Sequence, residues 1–405
     1  MIESYIKRDI YLQKIEPFID KDIIKILVGQ RRAGKSYILY QIMDTLLNKG
    51  VSQKNIIYIN KELINFDAIQ TYKHLVDYIE QKTTNKKKVF LFIDEIQEIT
   101  AFQKALAHLQ ATKRYDIYCT GSNSTMLSSE LATHISGRYI EINVYPLSYK
   151  EFLIFHKLTN STDAFSKYIR YGGLPFLINL QLEDHLVYEY LRNLYNTILL
   201  KDIVARHQIR NIHFLERLIE YIADNIGSLV SAKKISDFLK SQKTDISPQV
   251  VLNYLHFLVD SYFVFRISRF DINGKKVFAI GEKYYFSDLG LRHMLLGYKQ
   301  MDISKILENL VLQQLLISGY NVHIGNLYNK EIDFVAEKNG EKIYIQVAYI
   351  LTSQDTIDRE FGNLLKIKDN YPKIVISMDE NAQGNYQGIQ HINIMDFLYN
   401  TPFLK

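Results

Sequence analysis

The sequence predicts an α/β protein: a helix-flanked parallel sheet first, then a mainly helical region, then a smaller second α/β region. Three observations carry this. Strand-like and helix-like segments alternate from Ile23 to Thr120. Val89 to Ile93 (VFLFI) is apolar throughout, as a strand covered on both faces is. A glycine-bounded turn, Gly29 to Ser36, lies between a strand and a helix.

Ile23 to Val28 is a β-branched run that stops at Gly29, and Lys35 to Asn48 carries a helical pattern. Asn55 to Asn60 reads as a second strand and Tyr72 to Lys82 as a helix. Val89 to Ile93 and Asp116 to Thr120 complete a β-α-β-α rhythm, which requires parallel strands with crossovers. Tyr145-Pro146-Leu147 breaks the pattern, and Ser148 is placed to cap a new helix. Residues 150–225 are mostly helical, interrupted at Tyr171-Gly172-Gly173-Leu174-Pro175. Residues 228–290 read as a helix-turn-helix with a hairpin. Ser231 starts one helix, Ser247-Pro248 starts the next, and Asn273-Gly274 joins strands at Tyr262 to Phe270 and Lys275 to Ile280. A helix at 304–317, strands near 320–324, 331–336 and 343–349, a helix near 355–369 and a strand at Lys373 to Ser377 follow. The expected domains are 1–150, 151–225, 226–295 and 296–405.

A chain of 405 residues exceeds one compact domain, and 47% hydrophobic residues suffice for sizeable cores. A net charge of +5 is compatible with nucleic acid without requiring it. Cys119 stands alone, so no intrachain disulfide forms, and a reducing cytoplasm is the expected compartment. The start, MIESYIKRDI, carries charges where a signal peptide needs an apolar stretch, and no apolar run is long enough to span a bilayer.

Gly29-Gln30-Arg31-Arg32-Ala33-Gly34-Lys35-Ser36 fits the P-loop pattern G-x-x-x-x-G-K-[ST]. Such a loop wraps phosphate oxygens with backbone N–H groups, and the following helix points its positive end at them. Lys35 is expected to reach the β- and γ-phosphates of ATP, and Ser36 to ligate Mg²⁺. Asp94 closes an apolar strand and is placed to hold Mg²⁺ directly or through water. Glu95 is the candidate base for the attacking water. Asp94 alone would also fit a GTPase-like or kinase-like site; the Asp94-Glu95 pair favours an ATPase. At the end of the next strand, Asn123, or else Ser122, is expected to contact the γ-phosphate or the water, the alternative being a capped turn. Arg138 is either an arginine finger, in cis or in trans, or a surface arginine. Arg31 and Arg32 contact either nucleotide or the following domain.

These residues resemble one family. GQRRAGKS, FIDEIQ, TGSNS, SGR and PLSYKEF are similar to the bacterial and archaeal AAA-type ATPases with a G-x-R-R-x-G-K-[ST] loop. YGGLPF, TILLKDIVARHQI, DNIG, KYYFSDLGLR, ENLV, EIDFVAEKNG and IQVAY extend the resemblance over essentially the whole chain. It implies a P-loop NTPase core, a winged-helix segment, and a small α/β C-terminal domain with a restriction-endonuclease-like fold.

Two features temper the nucleic-acid reading. The helix after Ser247 (SPQVVLNYLHFLVD) has no Arg or Lys; only Gln249, Asn253 and His256 could reach bases. The hairpin supplies Arg266, Arg269, Lys275 and Lys276 for phosphate contact. In the C-terminal domain Glu308 and Asp333 follow the PD-(D/E)xK layout. Gln346 stands where the second carboxylate belongs and Ala348 where the lysine belongs. Glutamine brings no charge to Mg²⁺ and alanine cannot act on water, so nuclease activity is not expected. Asp358-Arg359-Glu360 either binds phosphate or forms surface pairs. The expected function is an ATP-hydrolysing, Mg²⁺-dependent switch that repositions the later domains. The alternatives are an ATP-dependent DNA-processing nuclease or translocase, or an ATP-regulated scaffold for a protein partner or self-association. No membrane partner is expected.

Overall fold

Apolar strands flanked by amphipathic helices give the first unit two cores, one on each face of its sheet. The computed structural model describes residues 5–83, 87–124, 135, 137–241, 243–274, 276–328, 330–351, 353–380 and 383–400. The side chains of residues 276–280 and 383 are excluded from that description. Ser136 and Lys275, both part of the sequence reading, lie outside the described residues. The chain divides into two compact units: 1–144 with 260–262, and 145–259 with 263–405. The boundaries expected at 226 and 296 fall inside the second unit.

In chain order, the first unit runs α1 (Asp9–Ile15), β1 (Ile24–Val28), α2 (Lys35–Asn48), β2 (Ile56–Asn60), α3 (Tyr72–Lys82), β3 (Val89–Asp94), α4 (Phe102–Ala111), β4 (Tyr115–Gly121) and β5 (Tyr139–Asn143). The strands form a five-stranded sheet in the order β2-β3-β4-β1-β5, parallel at every pairing. Alternate residues of β1 serve opposite faces: Ile24, Ile26 and Val28 join one core, and Leu27 the other. Lys25, on the same strand, is fully buried and neutralised by an ion pair with fully buried Asp116 of β4.

The second unit opens with α5 (Tyr149–His156), α6 (Thr162–Tyr171) and α7 (Asp184–Thr197), the last continued by a π-helical stretch over Ile198–Ala205. Ser148 caps α5 through a complete capping box with Glu151. Next come α8 (Ile212–Asp224), β6 (Leu229–Val230), α9 (Ala232–Ser241), α10 (Pro248–Asp260), β7 (Val264–Asp271) and β8 (Lys276–Phe286). Ser247 accepts from the Val250 amide at 3.4 Å at the start of α10. The chain ends with α11 (Leu289–Leu296), α12 (Ile303–Ile317), β9 (Asn321–Leu327), β10 (Lys330–Lys338), β11 (Glu341–Val347), α13 (Gln354–Leu365), β12 (Lys373–Ser377), β13 (Gln383–Tyr386), β14 (Ile389–Asn393) and α14 (Ile394–Tyr399). One mixed sheet, β13-β14-β12-β11-β10-β9-β7-β8-β6, takes in all nine strands. The β7–β8 hairpin therefore shares a sheet with the C-terminal strands, through a parallel β7–β9 pairing that aligns Arg269 with Ile324.

Two glycine-bearing stretches of the sequence meet in this unit. Asp288 caps α11, and its carboxylate also accepts from the Gly173 amide at 2.7 Å. A Cβ on Gly172 would come within 2.4 Å of that carboxylate, and one on Gly290 within 2.1 Å of the Tyr171 carbonyl. Side chains are excluded there by close backbone approach.

Candidate active site

The loop after β1 is shaped by its glycines. Gly29 has φ +148°, and a Cβ there would lie 2.1 Å from the Val144 carbonyl oxygen. Gly34, at φ 97°, is the left-handed N-cap of α2, so Lys35 and Ser36 are the first two helical residues. Ala33 is buried and Arg32 exposed, the latter at φ 66°. Lys35 is 4% exposed and folds back over the loop, donating to the carbonyls of Gly29 at 2.9 Å and Gln30 at 3.0 Å. Gln30 is itself buried. Arg31 is buried and pairs with Glu62, after β2, at 3.1 Å.

Parallel pairing brings the acidic pair beside this loop. Asp94 ends β3 and lies in register with Asn60 of β2. Its Oδ1 accepts from the Thr120 hydroxyl and its Oδ2 from Tyr58 at 3.1 Å. Burial raises the Asp94 carboxyl above the ordinary carboxylate range, against hydrogen bonds from Thr120 and Ser36 that pull it down. Ser36, from the loop, is thus a near neighbour of Asp94. Glu95 follows in a left-handed conformation at φ 54°, an uncommon state for a non-glycine residue and one that accumulates at functional sites. Its amide donates to Thr120 Oγ1 at 2.9 Å. Its carboxylate accepts from Gln97 and, at 3.2 Å, from Ser122. Burial raises the Glu95 carboxyl, but Lys35, Arg31 and these two hydrogen bonds outweigh it, and the net shift is downward.

Lys35, Ser36, Asp94, Glu95 and Ser122 are therefore brought together. Asn123, next to Ser122 at the same strand end, is 1% exposed. Arg138 is not part of this group. Its carbonyl accepts from Ile24, the first residue of β1, at 2.9 Å, whereas the loop follows Val28, the last. At ~3.3 Å per residue the two sites are roughly 17 Å apart along the strand. Arg138 precedes β5, the strand beside β1, at the end of the strands opposite the loop, and is exposed. Sequence reasoning missed Thr120, Tyr58, Gln97 and Arg8. Buried Arg8 donates to the Ala33 carbonyl at 2.9 Å, and its amide donates to Gln41 Oε1 of α2 at 2.9 Å. A threonine directly before TGSNS's glycine was in view; which strand its hydroxyl would face was not.

In the second unit Glu308, Asp333, Gln346, Ala348, Arg359 and Glu360 all line one cavity of about 620 Å³. Gln346 bridges it, accepting from the Asp333 amide at 2.8 Å and donating to Glu360 at 2.7 Å. Arg359 pairs with Glu360 at 2.8 Å. Gln249, Asn253 and His256 are exposed on α10. The hairpin arginines are engaged within the sheet: Arg266 lies 3.7 Å from Glu282 and Arg269 donates to Asn326 at 2.6 Å. Among the described residues, no helix is long and apolar enough to cross a membrane.

Residues 21–153 match the family model described as an AAA domain, and residues 162–302 match a domain of unknown function. A Haemophilus influenzae protein described as uncharacterized is 37% identical over 403 residues, covering 98% of this chain and 100% of its own length. A Methanocaldococcus jannaschii protein, likewise described as uncharacterized, is 32% identical over 87% of this chain and 82% of its own length. Among solved structures, the Aeropyrum pernix Orc1 protein in complex with DNA is 12% identical, with a TM-score of 0.34 over 73% of this chain and 93% of that chain. At that TM-score the likeness carries no functional argument. The chain belongs to the family of these Haemophilus influenzae and Methanocaldococcus jannaschii proteins, and its N-terminal part is an AAA-type P-loop domain.

Proposed function

We propose that the protein is an Mg²⁺-dependent ATPase that works as a molecular switch. The observation that carries this is the convergence of Lys35 of the phosphate loop with the buried pair Asp94 and Glu95 at the acidic strand end, where Lys35 acts electrostatically on both carboxylates. A hydroxyl and a carboxylate side by side form the oxygen-rich donor set that suits Mg²⁺, so the residues fit the ion. When bound, Mg²⁺ supplies charge neutralisation at the β- and γ-phosphates. Lys35 turns from the Gly29 and Gln30 carbonyls to those phosphates. Glu95, kept ionised by Lys35 and Arg31, accepts the proton of the attacking water. Ser122 and Gln97 orient Glu95, and Asn123 contacts the γ-phosphate or the water. Gly29, Gln30, Arg31, Arg32, Ala33 and Gly34 form the cradle. A role for Arg138 in neutralising transition-state charge is in trans, from a second copy.

A second observation favours a switch over a free-standing hydrolase. Ser124, one residue beyond Asn123, donates to Asp260 at 2.7 Å. Residues 260–262 belong to the first unit, while the chain on both sides belongs to the second. A change at the γ-phosphate thus has a short route to the end of α10. On this reading residues 226–295 act as a winged helix and residues 296–405 as a nuclease-like domain without cleavage chemistry, in a cytoplasmic protein. The engaged hairpin arginines and an α10 without Arg or Lys favour a protein partner over base-specific DNA reading. Lys35→Ala should abolish ATP hydrolysis and weaken nucleotide binding; unchanged turnover would defeat the assignment. ATPase rates with and without DNA or RNA separate the partners: stimulation supports nucleic acid, and no response supports protein.

A further inference from the structure

A buried cation pairs with two of the carboxylates that line the C-terminal cavity. Lys283, on β8, is buried, with 4% of its side chain exposed. Its Nζ lies 2.5 Å from Glu331 Oε1 and 3.7 Å from Glu308 Oε2. Glu308 also accepts from the Tyr285 hydroxyl at 3.1 Å, and Asp333 from the Val347 amide at 2.7 Å. Glu308, Glu331 and Asp333 all line the cavity. Asp333 is buried, Glu308 largely so and Glu331 partly exposed, and carboxylates withdrawn from water demand a compensating charge. An ammonium is a compact point charge able to serve several of them. Burial alone would push Lys283 down; Glu308, Glu331 and Asp333 reverse that and hold it protonated. Among the described residues, no three acidic, histidine or cysteine side chains are arranged to hold a metal ion.

We propose that the Lys283 ammonium, held against two carboxylates that line this cavity, takes the place between Glu308 and Glu331 that a divalent ion would need. The cavity is then closed to Mg²⁺ and Mn²⁺ although carboxylates line it. This is independent of the ATPase reading and goes beyond the substitutions at Gln346 and Ala348. Restoring a carboxylate at Gln346 and a lysine at Ala348 would not restore metal uptake while Lys283 remains.

Mn²⁺ binding, read from the paramagnetic resonance of free Mn²⁺, tests the proposal on nucleotide-free full-length protein. An Asp94→Asn background removes the acidic ligand of the nucleotide site. The parent should show no Mn²⁺ site that depends on Asp333. Lys283→Ala should gain one such site, about tenfold or more tighter than any parental binding, since Glu308 and Glu331, which both face Lys283 Nζ, then face a divalent ion. Adding Asp333→Asn should remove it again. An Asp333-dependent ion in the parent, or no gain in Lys283→Ala, overturns the proposal. Where Lys283→Ala folds only with Mn²⁺ present, that rescue is the expected linkage; a variant that stays unfolded with Mn²⁺ overturns it.

Discussion

The Thr120 hydroxyl donates to Asp94 Oδ1 and is, at the same atom, 2.9 Å from the Glu95 amide that donates to it. One side chain on β4 thereby fixes both the metal-ligand candidate and the base candidate on β3. Thr120→Val keeps the shape and deletes both bonds. A hydrogen bond to a charged group contributes about 1.5–3 kcal/mol, so Mg²⁺-dependent turnover should fall roughly 10- to 100-fold. The Asp94 carboxyl, already raised by burial, should rise further without Thr120. The acid limb of the pH–rate profile should therefore move to higher pH, and the Mg²⁺ requirement should rise. A Thr120→Val protein with wild-type Mg²⁺ and pH dependence would contradict this role.

Arg8 ties the N-terminal segment to the loop through the Ala33 carbonyl, and it stacks 4.6 Å above the Tyr11 ring. Arg8→Met keeps bulk and removes the donor. Nucleotide affinity should fall about tenfold, by the roughly 1–3 kcal/mol of an unsatisfied buried acceptor. Calorimetric titration with a non-hydrolysable ATP analogue measures it, and unchanged affinity would rule out a positioning role.

Asp288 offers a pH test in the second unit. Burial raises its carboxyl to about 6, against backbone hydrogen bonds from Gly173, Leu291 and Gly290 that lower it. The folded state then holds a proton that the unfolded state has released, between about pH 4 and 6. Its contribution is greatest below the unfolded pKa and is lost as pH rises through the folded one. The loss amounts to about 3 kcal/mol across that window. The melting temperature of wild type relative to Asp288→Asn should therefore decline from pH 4 to 6 and level off above. A difference that does not change with pH would contradict the buried, protonatable cap.

Much of the first unit was legible because its signals are local. The Gly29–Ser36 spacing, the apolar run at Val89 and the Asp94-Glu95 pair each declare themselves within a few residues. Thr120 did not, because its value depends on the parallel β3–β4 register that sets its hydroxyl against both Asp94 and the Glu95 amide. The placement of Arg138 was not legible either: closeness to a core strand in sequence says nothing of which end of the sheet faces the loop. In the second unit the hairpin and the later strands were each read, but as parts of two domains. The β7–β9 pairing that joins them links Arg269 to Ile324 in parallel, a long-range register that no local pattern encodes. Lys283 was hidden similarly, on a strand read as ending at Ile280 but continuing to Phe286.

The most direct test of the central claim is ATP turnover by Glu95→Gln, with Mg²⁺-ATP binding measured on the same preparation. Removing a general base at unchanged shape should lower turnover at least about 100-fold while leaving binding within a few-fold. Wild-type turnover in Glu95→Gln would contradict the account.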